Sequence, residues 1–136
     1  MKIHSDWHIH SHNSCDDASL PIRDLIQEAE GKGIRAYGLT DHIHTPFNFT
    51  DIAWSRREFE AAKPPPSFHF GVEVSCVSQW ELDEVAKCDL VNPTYGIRTG
   101  GPAGAALAIA IDRRFLDAYS IEYVVAGTHW SMYVPF

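Results

Sequence analysis

The chain has 136 residues, 45% of them hydrophobic, which suggests a single domain, 1–136, with a real core. Its 11 Lys and Arg against 18 Asp and Glu give a formal charge of −7, so nothing here advertises a surface for nucleic acid or an anionic membrane. Three cysteines (Cys15, Cys76, Cys88) fit no disulfide spacing, and no apolar run is long enough for a signal region or a membrane span, so the expectation is a soluble cytoplasmic protein.

In chain order, residues 2–10 (KIHSDWHIH) read as a strand. Residues 19–33 read as a helix with Ser19 as its cap, Pro21 in the first turn and Ile22, Leu25, Ile26 and Ala29 on one apolar face; Gly31 and Gly33 stop it. Residues 34–42 form the next strand. Residues 50–62 form a helix that Thr50 can cap and that Pro64, Pro65 and Pro66 forbid from continuing. A third strand covers 68–77, a short helix 78–88, and a loop rich in Gly and Pro 89–102. The stretch LAIAI, 107–111, alternates strictly but lies in an alanine-rich run and fits helix or strand equally. A helix over 112–119 and a strand over 121–129 complete the reading. Alternating strands and helices predict a parallel sheet with helical crossovers, an α/β fold.

The histidines then acquire a pattern. Residues two apart on a strand face the same way, so His8 and His10 project together from the C-terminal end of the first strand, where parallel α/β folds build their sites. His4 shares that parity but lies earlier, as packing or surface, and His12 falls past the strand end. The second strand ends in LTDH and delivers His42; the last ends in AGTH and delivers His129. The third carries Glu73 within the apolar run FGVEVS, where a buried carboxylate costs several kcal/mol unless it is paired or metal-bound. Asp16, just past the first strand, adds a second carboxylate. Nitrogen and oxygen donors in this mixture suit Zn, Mn or Fe. Asp41 can orient a ligand or cap a loop, and Cys15 has no base assigned to it. Arg98, among glycines in YGIRTGG, is the candidate phosphate contact.

Taken together, DWHIHSHNSCDD, LTDH, GVEV and AGTHW resemble the PHP family, named for polymerase and histidinol phosphatase. The resemblance runs the length of the chain. It implies a distorted (β/α)7 barrel with two or three divalent metal ions at the C-terminal ends of its strands, and hydrolysis of phosphomonoesters or phosphodiesters by a metal-activated water. By position, His8 and His10 match the family's first motif, Asp16 the slot that follows it, His42 the second motif, Glu73 the bridging glutamate and His129 the histidine of the next strand. The implied partner is a small phosphorylated substrate. The family's later His and Asp-x-His motifs are not in the sequence, and a full barrel needs roughly 200 residues or more. The expectation is therefore a C-terminally truncated barrel, its first half to two-thirds, with weak activity and a tendency to self-associate. Two alternatives stand beside this reading: a metal-dependent hydrolase of the amidohydrolase type, and a non-catalytic metal-binding module.

Overall fold

A computed structural model describes residues 3–87, 94–97 and 101–129. Strand β1 (Ser5–Ile9) leads to helix α1 (Ile22–Lys32), β2 (Ala36–Ile43), α2 (Phe49–Ala62) and β3 (Phe68–Ser75). A two-residue strand β4 (Val77–Ser78), helix α3 (Gln79–Lys87), a second two-residue strand β5 (Leu107–Ala108), helix α4 (Arg113–Ala118) and strand β6 (Tyr123–Gly127) follow. The main sheet has the order β1-β2-β3-β6, with every neighbouring pair parallel. It curls into a half-barrel, the partial PHP-type architecture expected from the motifs. No helix among the described residues is long and apolar enough to cross a membrane.

The two faces of the sheet divide by parity. Tyr37, Leu39 and Ile43 of β2, with Phe68, Phe70, Val72 and Val74 of β3, join Ile22 and Leu25 of α1, Ile52 and Phe59 of α2 and Phe115 of α4 in one buried core. Aromatic pairs set its depth: Tyr37 stacks on Phe68 at 4.5 Å and Phe59 meets Phe70 edge-on at 5.1 Å. The alternate residues of the same strands, Gly38, Thr40 and His42, then His69, Gly71, Glu73 and Ser75, face the concave side, because side chains alternate across a strand.

Tyr123 fills the floor of that concave side. Its hydroxyl donates to the carbonyl oxygens of Leu39 (3.0 Å) and Trp7 (3.3 Å), and its ring meets Trp7 edge-on at 5.4 Å. A Cβ on Gly71 would lie 2.5 Å from the ring, so the close approach requires glycine there.

β1 carries a bulge. Asp6 pairs with Tyr37 and Ile9 with Leu39, three steps on β1 against two on β2. Consecutive residues Trp7 and His8 consequently both turn inward, Trp7 to Tyr123 and His8 to Glu73, where a regular strand would part them.

Three local expectations are corrected. Ser19 does not cap α1: the helix starts after Pro21, and the Ile22 N–H donates to Glu58 Oε1 of α2 at 2.8 Å. Thr50 does not cap α2, which continues from a 3-10 turn, Pro46–Asn48, capped by Thr45. The third strand breaks at Cys76, and only Val77–Ser78 resume extended structure, antiparallel to Leu107–Ala108. That pairing makes part of LAIAI a strand. Gly33 ends α1 in the left-handed conformation, as a helix-terminating glycine does.

Candidate metal centre

Register builds the centre. His42 of β2 and Glu73 of β3 are direct neighbours in the parallel ladder. Both point into the concave side, so an imidazole and a carboxylate are fixed side by side by backbone pairing alone. Glu73 uses both oxygens. Oε2 lies 2.8 Å from His8 Nε2, 3.3 Å from His42 Nδ1 and 3.4 Å from His10 Nε2. Oε1 lies 3.0 Å from His129 Nε2. Asp16 closes the other side, with Oδ2 at 3.3 Å from His42 Nε2 and 3.5 Å from His10 Nδ1. Its second oxygen accepts from the Ala18 N–H at 3.0 Å, which anchors the loop that carries it.

All six residues singled out as ligands in the sequence thus converge, although they arise from four strand ends and a loop. Arg98 lies outside the described residues. One residue went unnoticed: His44, just past β2 and on the same side as His42, stacks on it with centroids 4.6 Å apart. The sequence held the clue, since DHIH repeats the two-residue spacing of HIH at 8–10.

The supporting residues have separate tasks. Asp41, on the opposite face from His42, accepts the Ser11 N–H at 2.6 Å, the Ser11 hydroxyl at 2.7 Å and the Ser55 hydroxyl. It therefore fastens the loop after His10 to α2. Burial pushes its carboxyl up despite those donors. His12 sits 2.7 Å from Glu58 Oε2, outside the ligand cluster. Burial, then the repulsion of Asp51 and Asp16, push the Cys15 thiol up to about 12, which removes it as a nucleophile at neutral pH.

The electrostatics favour ligation. Burial holds His42 down to about 4; Glu73 pulls the other way and the neighbouring imidazoles of His10 and His129 add to the depression. Its ring is neutral at pH 7, the form that binds metal. Burial disfavours the Glu73 carboxylate, but the His8 hydrogen bond and the imidazoles of His42, His8 and His129 outweigh it and hold the carboxyl below its usual range. Among the described residues, His10 Nδ1 and His42 Nδ1 are buried and make no hydrogen bond. Buried polar atoms in that position want a partner. Among the described residues, three sets of donors lie close enough to share an ion: His8, His10 and Glu73; His10, Asp16 and His42; and His42, His44 and His129. Mixed imidazole and carboxylate donors fit a divalent transition metal.

A model of the PHP domain matches residues 6–129. The chain belongs to the PHP domain family. No curated protein and no solved structure gave a match. PHP domains are metal-dependent and generally hydrolytic, and the match spans every residue of the cluster from His8 to His129.

Proposed function

We propose that this PHP domain is a metal-dependent phosphoesterase acting on a phosphomonoester or phosphodiester, with His8, His10, Asp16, His42, Glu73 and His129 as metal ligands. The observation that carries the reading is the division of the Glu73 carboxylate, one oxygen toward His8, His10 and His42 and the other toward His129. A carboxylate so placed is set to bridge two cations. Two or three divalent ions, Zn, Mn or Fe, when bound would supply Lewis acidity toward phosphoryl oxygens and lower the pKa of water to about 7.

The protein's own residues do the rest. His42 and Glu73, paired in the parallel ladder, would hold cations together with the other histidines and Asp16, and Asp41 fastens the loop after His10 through the Ser11 N–H and hydroxyl. A chain with a net charge of −7 must concentrate positive charge locally to attract a phosphate, and the cluster is where it would do so. Arg98 is the proposed contact to the phosphate. The free thiols of Cys15 and Cys76 support a reducing, cytoplasmic setting.

The test is to strip the protein with chelator, reload it with Mn or Zn, and assay aryl phosphate mono- and diesters beside an amide and a lactone. Phosphoester turnover that depends on metal and falls at least a hundredfold in His10→Ala is the expected result. Metal-dependent cleavage of the amide or lactone alone would assign the other hydrolase class, and stoichiometric metal without turnover would make this a binding module.

A further inference from the structure

We propose that His44 is a metal ligand, that it shares a cation with His129 and His42, and that Ser75 is the positioning residue that makes both His44 and His129 competent to bind it. The proposal rests on the reading above that this pocket holds divalent cations. It adds a residue and a division of labour which that reading does not contain.

His44 is 3% exposed. Its backbone is fixed by the next turn, where Asn48 Oδ1 accepts the N–H groups of His44 (2.9 Å) and Thr45 (3.1 Å). Its Nδ1 lies 2.6 Å from Ser75 Oγ, and the same Oγ lies 2.8 Å from His129 Nδ1. One hydroxyl at the end of β3 therefore addresses two imidazoles from two other segments. The rings converge: His44 and His129 are 4.8 Å apart and close to perpendicular, and His42 meets His129 in the same way at 4.7 Å. One ligand atom of each of the three lies within 4.8 Å of the others.

The chemistry of the hydroxyl limits where the two rings can carry their protons. Serine has one O–H to donate and two lone pairs with which to accept. If Oγ donates to one ring, that ring carries its proton on Nε2 and cannot ligate there. If Oγ accepts from both, each ring carries its proton on Nδ1 and each Nε2 holds a lone pair. The second arrangement is the one that metal-binding histidines adopt when an oxygen takes the other N–H. His129 Nε2 already faces Glu73 Oε1 at 3.0 Å, so the site it would form adjoins the bridging carboxylate. Three imidazoles gathered on one side of a carboxylate, two of them oriented by a shared hydroxyl, are a donor set.

The test uses the whole chain and cobalt(II) as the probe, read by calorimetry and by the visible absorption of bound cobalt. The wild type is expected to bind at least two ions. His44→Gln should lose one of them or bind it at least tenfold more weakly, while His8→Ala with His10→Ala should retain the ion that depends on His44. Ser75→Ala should weaken that same ion by about tenfold, and Ser75→Thr should restore it. Unchanged stoichiometry and affinity in His44→Gln overturns the proposal while leaving the pocket a metal site. A wild type that binds no cobalt overturns the pocket reading, and this one with it. If near-ultraviolet circular dichroism shows that His44→Gln is misfolded, the wild type decides. In its long-range proton–nitrogen spectrum, zinc should move the Nε2 resonance of His44, and an unmoved resonance counts against the assignment.

Discussion

The ring of Tyr123 occupies the space that a side chain on Gly71 would need: a Cβ there would sit 2.5 Å from ring carbon Cε1. The two residues lie in register on neighbouring strands, β3 and β6. The floor beneath the donor cluster is thus made by one large residue and two absent side chains, since a Cβ on Gly38 would collide with the same ring.

Gly71→Ala should accordingly destabilise the metal-free protein by about 1–3 kcal/mol, the usual range for overpacking a filled interior. Tyr123→Leu in the same background should reduce that cost, because the colliding ring is gone. Urea unfolding of the two single variants and the double variant measures the coupling. Additive single-variant costs would show that the two positions do not share the space.

Asp41 serves three donors, so Asp41→Ala should cost about 3 kcal/mol or more by stranding the Ser11 N–H and two hydroxyls. Asp41→Asn keeps an acceptor for the Ser11 N–H and should cost less. Because Ser11 follows His10, both variants should also weaken cation binding although neither touches a ligand. Equilibrium unfolding and metal titration of the pair check the order.

Glu58 gives a pH signature. Partial burial raises its carboxyl, but the Ile22 N–H, His12 and Asn13 outweigh this and hold it below its ordinary 4.5. A depressed folded value means that the unfolded chain takes up the proton first. The stabilisation is complete above pH 4.5 and fades as the pH falls through the lower folded value. The stability difference between wild type and Glu58→Gln should therefore be largest near neutrality and shrink steadily below that point. A difference that stays flat from pH 6 to 3 would contradict the assignment.

The clamp at the start of the chain should be indispensable to any ion held by His8, His10 and Glu73. Saturating zinc at a hundred times its dissociation constant stabilises a folded protein by about 2.7 kcal/mol per site. Thermal unfolding with and without zinc should show that increment in the wild type. In His8→Ala with His10→Ala the part due to this ion should vanish, and an undiminished shift would place the zinc elsewhere.

Parity made most of this visible in the sequence. His8, His10, His42, Glu73 and His129 could be placed on one side because side chains alternate on strands, and the parallel order brought their ends to one rim. The same rule would have found His44 had the second strand been followed two residues further. What resisted reading were features decided by distant parts of the chain. Ser19 and Thr50 looked like caps, but Glu58 and Thr45 hold those helix starts. LAIAI could not be resolved because two of its residues become a strand only by pairing with Val77–Ser78. The β1 bulge leaves no mark in composition at all.

His8 and His129 belong to opposite margins of the sheet, yet both reach the carboxylate of Glu73, through Oε2 and Oε1 respectively. Glu73 therefore works as a drawstring: contacts to it hold the two margins inward, and the radius of the half-barrel and the spacing of the donors become a single mechanical quantity. Any change that flattens the sheet, even one at the floor beneath Tyr123, would widen that spacing and loosen a bound ion. Curvature would then be the variable through which substitutions remote from every donor tune affinity, and stiffness of the sheet the property that protects it.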